Sequence, residues 1–245
     1  MTGRRDRLDK VLVHLAVGSR SEVGRVIRSG AVTVDEKVVR DPEFKFDPTR
    51  SIVTVDGVVR TYRAFYHVLL NKPAGTVTST SERDGTPVTS ILPDLLKRPD
   101  WMPVGRLDKD TEGLLLLTTD GTLAHRLTHP KWKVAKTYEA HLIKPATSWD
   151  VAAFARGMKL EEAELQPAEL TWQDDATRVR VVIAEGKYHQ VKRMFGMRGN
   201  EVTYLRRIAF GAITLPADLP VGAARELSDV EISALYGAGN KGASA

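Results

Sequence analysis

The stretch Gly105–Leu114 carries the residues with the clearest chemical potential in this sequence. Asp108 lies there between two basic residues, Arg106 and Lys109, in a glycine-flanked segment directly before an apolar run. An aspartate can attack an electrophilic carbon covalently when a cation keeps it ionised and apolar surroundings exclude water. The stretch is therefore compatible with a nucleophilic carboxylate, provided that a distant part of the chain supplies such a cation.

Two other interpretations of the same carboxylates stay open at this point. Asp108, Asp110, Glu112 and Gly113 have the spacing of the first half of an EF-hand calcium loop, but Thr119 stands where that loop needs a bidentate carboxylate. Carboxylates in a turn before a strand also commonly bind backbone amides or pair with neighbouring basic side chains. Spacing alone favours this structural role, and we expect no metal site.

The composition excludes several chemistries and classes of protein. The 245 residues include no cysteine, which rules out disulfides, thiol catalysis, cysteine-ligated zinc and iron–sulfur clusters. At 42% hydrophobic and 27% charged residues the chain has the composition of a globular protein rather than a disordered one. The sequence contains no run of about 18 apolar residues, the length needed to span a membrane. Residues 1–7 lead into a charged segment instead of a secretory signal, so we expect a cytoplasmic protein.

The net charge of +5 conceals an uneven distribution of charge along the chain. Residues 1–30 contain seven Lys or Arg against three carboxylates, and residues 186–207 contain six against Glu201 alone. Residues 160–175, by contrast, hold six carboxylates and no basic residue. Clustered basic charge is typical of nucleic-acid binding, because contacts to phosphates dominate its affinity. A solvated, salt-bridged surface is the alternative for either basic cluster.

The first 60 residues have the pattern of a small unit of two helices and short strands. Apolar residues over 8–15 recur at helical spacing. Ser19–Glu22 has the spacing of a capping box, which predicts the start of a second helix, and Gly30 is placed to end it. Valine-rich segments over 32–59 alternate with turn residues and predict β-hairpins.

This unit resembles the S4 domain, an RNA-binding module named for a ribosomal protein. The resemblance rests on Arg7–Lys10, Ser19–Glu22 and Ile27–Val34 and covers about 45 residues. It implies that the unit binds RNA through basic side chains on or near its helices. The expected contacts are Arg7, Lys10, Arg20, Arg25 and Arg28.

From residue 61 the sequence changes to short apolar runs separated by turns. These runs predict strands over 67–70, 114–118, 138–143, 179–184 and 203–208, and a helix over 122–128. Strands mixed with a few helices indicate an α+β domain. We therefore predict domains over 1–60 and 61–238, followed by a flexible tail over 239–245.

Five segments of the second domain together resemble the pseudouridine synthases of the ribosomal small-subunit synthase A type, which also begin with an S4 domain. The segments are Leu70–Pro73, Gly105–Gly113, Lys136–Tyr138, Tyr188–Phe195 and Gly211–Leu215. The match runs almost from end to end of the chain. It implies an α+β fold in which a small N-terminal S4-like RNA-binding domain precedes a domain built on a mixed, mainly antiparallel sheet.

The resemblance also implies roles for individual residues. The aspartate of the family's Gly-Arg-Leu-Asp motif, its nucleophile, corresponds to Asp108. The tyrosine that packs on the target base corresponds to Tyr138, and the basic residue that forms an ion pair with the aspartate corresponds to Lys192. The further RNA contacts expected in this domain are Arg106, His189 and Arg193.

The chemistry of such an enzyme agrees with the composition. Isomerising uridine to pseudouridine breaks the N-glycosidic bond and rejoins the uracil to the sugar through C5, without redox change or hydrolysis. No cofactor and no metal are therefore expected, and the sequence contains neither a Walker-A motif nor GxGxxG. The target base must leave its stack to reach Asp108, and an aromatic ring such as that of Tyr138 can replace the lost stacking.

The expected partner is ribosomal RNA, with 16S rRNA favoured, either free or in an assembling small-subunit particle. We expect a monomer without a membrane partner. Lys109–Leu114 is equally similar to large-subunit relatives, so a 23S rRNA target stays open. Two further alternatives are a non-catalytic RNA-binding or ribosome-assembly factor and a metal-dependent nuclease that uses Asp108, Asp110 and Glu112.

Overall fold

The computed structural model describes residues 5–79, 84–160, 163–172 and 175–238. The tail that we predict to be flexible, 239–245, lies outside the described residues. The chain divides between Ala64 and Phe65 into two compact units. No helix in the described ranges has the length and apolar character needed to cross a membrane.

The first unit contains the two helices that the sequence predicts, α1 (Leu8–His14) and α2 (Arg20–Ser29). The capping box is present, since the Ser19 side chain accepts the backbone amide of Glu22 while the Glu22 carboxylate accepts that of Ser19. Gly30 follows α2 with a φ of 87°, in the left-handed region that glycine adopts without strain. Both predicted ends of this helix are therefore confirmed.

Short antiparallel strands complete the first unit. Strand β1 (Asp6–Arg7) pairs with β4 (Lys45–Phe46). The others are β2 (Val32–Val34), β3 (Lys37–Val38), β5 (Val53–Val55) and β6 (Val58–Arg60), in the order β3-β2-β5-β6. Asp35 and Glu36 form the turn between β2 and β3 with positive φ values of 49° and 68°. They provide the backbone twist that Asn-Gly more often supplies in a tight hairpin.

The second unit is built on a mixed and mainly antiparallel sheet, which confirms the predicted α+β class. Its strands are β7 (His67–Lys72), β8 (Met102–Pro103), β9 (Glu112–Thr118), β10 (Lys136–Leu142), β11 (Glu169–Trp172), β12 (Arg178–Ile183), β13 (Val202–Phe210), β14 (Ile213–Thr214) and β15 (Ala224–Glu226). Within the described residues their order is β11-β12-β10-β13-β9-β7-β15, with β14 beside β13 and β8 beside β9. The contact between β13 and β9 is parallel and the other contacts are antiparallel.

Helices cover both faces of this sheet. They are α3 (Gly121–Thr128), α4 (Ser148–Arg156), α5 (Gln190–Met197) and α6 (Asp229–Gly237). On β9, Leu115 and Leu117 join the core cluster that contains Phe154 of α4 and Phe195 of α5. Their neighbours Leu114 and Leu116 join a second cluster, together with residues of α3 and α6. Because side chains alternate between the faces of a strand, the two clusters lie on opposite sides of the sheet.

The parallel contact between β9 and β13 depends on Gly113. This glycine has a φ of 98°, and a Cβ atom there would overlap the carbonyl oxygen of Arg207 and lie 2.9 Å from its backbone nitrogen. The Arg207 side chain is buried at the same contact and donates from Nε to the carbonyl oxygen of Leu114 at 2.8 Å. The start of β9, directly after the Asp108 loop, is thereby held against β13.

Replacing Gly113 by alanine is expected to lower the free energy of unfolding by about 3 kcal/mol or more, because left-handed strain adds to a clash with backbone. Urea unfolding measures this loss. Gly75→Ala is the matched control, since Gly75 also has a positive φ (86°) but open space around its Cβ position. It should show only the strain of about 1–2 kcal/mol. Equal losses in the two variants would contradict the proposed role of the β9–β13 contact.

Candidate active site

Asp108 lies in a loop that backbone and threonine contacts fasten to the segment that follows β7. Thr78 donates from its hydroxyl to the carbonyl oxygen of Leu107 at 2.9 Å and accepts the Leu107 amide at 3.2 Å. The Gly75 amide donates to the carbonyl oxygen of Lys109 at 2.7 Å. Leu107 is buried, whereas the Asp108 side chain is 27% exposed. The loop therefore presents the carboxylate at the surface from a fixed backbone.

Lys72, at the end of β7, supports the same loop from within the protein. Its side chain is fully buried, and Nζ donates to the carbonyl oxygens of Pro73, Lys109 and Thr111 at 3.1, 3.3 and 2.9 Å. Burial lowers the pKa of Lys72 to about 8, although nearby carboxylates including that of Asp108 oppose this shift. The segment Leu70–Pro73 predicts an apolar strand and a turn but not which side chain points inward, so this role of Lys72 does not follow from the sequence.

Two side chains from the start of α5 approach Asp108. His189 Nε2 lies 3.5 Å from Asp108 Oδ1, and Lys192 Nζ lies 3.8 Å from Oδ2. The tertiary fold thus supplies the distant cation that the sequence hypothesis required. His189 also adds a ring nitrogen, which can donate a hydrogen bond or, when protonated, a second positive charge.

The shortest contacts of Lys192, however, are with Asp110. Its Nζ donates to the two Asp110 carboxylate oxygens at 2.6 and 2.7 Å, against 3.8 Å to Asp108. The hydrogen bond from Lys192 lowers the pKa of Asp110, whose side chain is 72% exposed. The Lys192 ammonium is therefore shared by two carboxylates. The ion pair with Asp108 that the resemblance implies is present, but it is the longer of the two contacts.

Tyr138 lies on β10 in the core cluster that also contains Leu107 and Val191. These two residues directly precede Asp108 and Lys192, so the three elements that carry the predicted catalytic residues converge on one cluster. Tyr138 is 8% exposed. Its Cα pairs with that of Arg207 across the contact between β10 and β13.

The predicted RNA contacts differ in how free their side chains are. In the first unit, Lys10, Arg20, Arg25 and Arg28 are exposed. Arg7 instead forms ion pairs with Asp9 at 2.7 Å and Glu43 at 3.0 Å. In the second unit, Arg106 is exposed beside the candidate site, and Arg193 is partly buried on α5.

A second buried lysine lies at the start of β10. Lys136 Nζ donates to the carbonyl oxygen of Val134 at 2.8 Å and lies 5.3 Å from the centre of the Phe210 ring. Burial and, to a smaller extent, the neighbouring charge of Arg207 lower the pKa of Lys136 to about 8, against the opposing effect of Glu185. Like Lys72, this lysine was not identified as buried from the sequence.

Both buried lysines are expected to make the protein more stable as the pH rises from 8 to about 10. In the unfolded chain they titrate near 10.5 and in the folded protein near 8. Between these values the unfolded state binds more protons, so the free energy of unfolding rises with pH. Below pH 8 both lysines are charged in the folded protein, and their burial then lowers the free energy of unfolding by its full amount. Urea unfolding at several pH values, in wild type and Lys136→Met, measures the effect. The rise should be smaller in the variant, and identical pH profiles would contradict the assignment.

No group of three or more His, Cys, Asp or Glu side chains in the described ranges is arranged to hold a metal ion. The arrangement offers a partly exposed carboxylate, two nitrogen groups within 4 Å of it and a loop held by hydrogen bonds. A carboxylate so placed can act as a nucleophile or a base on a bound substrate.

Comparison with known proteins gives two family matches. Residues 66–196 match the RNA pseudouridylate synthase family, and residues 6–52 match the S4 domain. The chain is 42% identical over 233 residues to an uncharacterized RNA pseudouridine synthase of Bacillus subtilis (strain 168), covering 94% of this chain and 98% of the relative. It is 38% identical over 232 residues to ribosomal small subunit pseudouridine synthase A of Escherichia coli (strain K12), covering 94% and 99%. A crystal structure of a pseudouridylate synthase is similar with a TM-score of 0.66 and 35% identity, covering 94% of this chain and 99% of that one.

Proposed function

Since the chain belongs to the RNA pseudouridylate synthase family, we propose that it isomerises a specific uridine of 16S rRNA and that Asp108 is its essential carboxylate. The isomerase activity and the S4 domain follow from the family matches, which confirm the resemblance seen in the sequence. The proposed 16S target rests on one observation. The chain is 38–40% identical, over 94% of its length, to relatives named ribosomal small subunit pseudouridine synthase A.

Asp108 is the carboxylate best placed for the reaction. During isomerisation the bond from the sugar C1′ to N1 of uracil breaks, the base turns, C5 bonds to C1′ and the hydrogen on C5 leaves as a proton. Attack on the sugar and removal of a sugar proton both require an anionic carboxylate at the surface. Asp108 is partly exposed, and its oxygens lie 3.5 and 3.8 Å from the nitrogen atoms of His189 and Lys192.

Lys192 and Tyr138 have different roles in this proposal. Lys192 places a positive charge 3.8 Å from Asp108 and also pairs with Asp110 at 2.6 Å. The cation therefore stabilises the catalytic carboxylate without forming a short ion pair with it. Tyr138 is 8% exposed in the core cluster that also contains Leu107 and Val191, the residues directly before Asp108 and Lys192. In this proposal its ring stacks on the uracil that has left its stack in the RNA.

Target assignment is tested by carbodiimide mapping of pseudouridine in both ribosomal RNAs of a deletion strain. We expect one 16S pseudouridine to disappear and to return with the wild-type gene but not with Asp108→Asn. Loss of a 23S site instead would overturn the 16S target and leave the chemistry intact. We further propose that the enzyme acts in the cytoplasm as a monomer, and activity on naked 16S rRNA and on small-subunit particles can be compared with the same protein.

The exposed arginines of α2 are proposed to bind RNA phosphates. Replacing Arg20, Arg25 and Arg28 together by glutamine is expected to reduce the slope of log Kd against log salt concentration by about two units, since each phosphate contact contributes about 0.7–0.9. Filter binding of ribosomal RNA at several salt concentrations measures this slope, and kcat at saturating RNA should stay unchanged.

A matched triple variant provides the control for this prediction. Arg156, Lys159 and Arg178 are exposed basic residues of the second unit outside the proposed contacts. Their replacement by glutamine removes the same total charge and should leave the slope closer to the wild-type value. An equal change in both triple variants would show that net charge, and not the α2 surface, determines the salt dependence.

A further inference from the structure

Tyr188 is an aromatic side chain that the proposed chemistry does not use. It is 75% exposed, the most exposed tyrosine of the chain, and it directly precedes the His189 that contacts Asp108. Exposed aromatic rings on proteins that bind single-stranded nucleic acid commonly serve as platforms on which bases stack.

The orientation of the Tyr188 ring is set by a stack on His189. The two ring centres are 3.8 Å apart and the planes differ by 17°. His189 adopts a φ of 49°, a left-handed conformation that is unfavourable for a residue with a side chain. Strain of this kind is concentrated at functional sites, where surrounding contacts maintain it. One face of the Tyr188 ring is thus covered by the imidazole, and the exposed area belongs to the opposite face and the edge.

The turn that carries this stack is anchored to the protein. Gln190, which is buried, donates from Nε2 to Glu185 Oε1 at 2.9 Å and accepts the Lys187 amide at 2.9 Å. The same Glu185 oxygen accepts the Gln166 amide at 2.8 Å. These bonds fix the backbone on both sides of Tyr188. The ring is therefore held in place before RNA arrives, which reduces the entropy lost on binding.

The stack also lies beside the candidate active site. His189 Nε2 is 3.5 Å from Asp108 Oδ1, so a single side chain separates Tyr188 from the carboxylate. The adjacent Lys187 is exposed and supplies a positive charge for an RNA phosphate. When a uridine is flipped towards Asp108, the bases next to it in the strand lose a stacking partner.

We propose that the outer face of Tyr188 is a subsite on which an unpaired base next to the target uridine stacks. The proposal rests on the placement of the target uridine at Asp108. Base, Tyr188 and His189 then form a continuous stack, and the innermost ring, that of His189, contacts the carboxylate through Nε2. Because every base has an aromatic face, the subsite selects for an unpaired and flexible strand rather than for a particular base.

Replacing Tyr188 by alanine is expected to raise KM about tenfold without changing kcat, the size of effect that loss of one stacked base produces. Tyr188→Phe and Tyr188→Trp should restore the wild-type KM, because both keep a ring. The assay is tritium release from ribosomal RNA labelled with [5-³H]uridine and isolated from a strain lacking the gene. Trp149→Ala is the matched control, since Trp149 is 73% exposed on α4 and should leave KM unchanged.

A binding measurement separates stacking from other roles. In the Asp108→Asn background, Tyr188→Ala should weaken the binding of the same ribosomal RNA without changing the salt slope, since stacking releases no counterions. Wild-type KM in Tyr188→Ala, or Tyr188→Phe as poor as Tyr188→Ala, would overturn the subsite. Failure of the Asp108 assignment is recognised separately, because Asp108→Asn would then remain active whatever Tyr188 does.

Discussion

Replacement of Asp108 by asparagine is expected to lower kcat by about four orders of magnitude or more, the loss typical of removing an essential nucleophile. Asparagine has nearly the same shape and can keep the backbone hydrogen bond from the Thr111 amide to the carbonyl oxygen of residue 108. The loop stays fastened by Lys72 and Thr78. What disappears is the negative charge that the reaction at C1′ requires, so we expect a folded protein that still binds RNA.

Tritium release from [5-³H]uridine-labelled ribosomal RNA measures the effect, because C5 loses its hydrogen when it bonds to the sugar. Asp110→Asn is the closest comparison. It removes the same charge from the same loop and from the same lysine, but its carboxylate is 72% exposed and pairs with Lys192 at 2.6 Å. We expect it to lose about tenfold at most. Comparable losses in the two variants, or an active Asp108→Asn enzyme, would remove Asp108 from its proposed role.

Replacement of Lys192 by methionine is expected to lower kcat on the order of a hundredfold, since a cation within 4 Å of a partly buried carboxylate contributes a few kcal/mol. Methionine keeps most of the apolar stem, so the start of α5 should pack as before. The loss is smaller than for Asp108→Asn because His189 Nε2 remains 3.5 Å from the carboxylate. Lys192→Arg keeps the charge and should retain most of the activity.

The double variant Lys192→Met/Asp110→Asn distinguishes two explanations of that loss. If Lys192 acts on Asp108 directly, removing Asp110 as well should leave the enzyme as slow as Lys192→Met. If instead an unpaired Asp110 repels the substrate or Asp108, the double variant should recover activity. Lys159→Met, at an exposed lysine elsewhere in the same unit, controls for the loss of one positive charge. Wild-type kcat in Lys192→Met would contradict the proposed role.

Local structure was accessible from the sequence wherever its signals lie within a few residues of one another. The sequence predicts the capping box at Ser19, the end of α2 at Gly30 and the valine-rich β-hairpins over 32–59, and each of these features is present. Helices α4 and α6 were missed although Thr147 and Ser228 begin them with capping boxes. Helix α5 is harder to predict from the sequence, because the residue before its first turn, His189, makes no capping hydrogen bond with its side chain.

The candidate site also combines features that the sequence predicts with features that depend on the folded chain. Asp108, Tyr138 and Lys192 could be named because their segments match a family, and the match preserves their order along the chain. The preference of Lys192 for Asp110 could not be foreseen, since it depends on distances between side chains from separate segments. Two carboxylates that stand two positions apart are equivalent in a sequence pattern, and the packing of α5 against the loop distinguishes them.

The order of amino acids is thus sufficient to identify the family, and it predicts two domains and an essential carboxylate at position 108. The burial of Lys72 and Arg207 and the stack of Tyr188 on His189 depend on the folded chain. The reason is physical. Local hydrogen bonds and apolar spacing are set by neighbours in sequence, whereas burial, charge pairing and ring stacking are set by the register in which distant strands and helices pack.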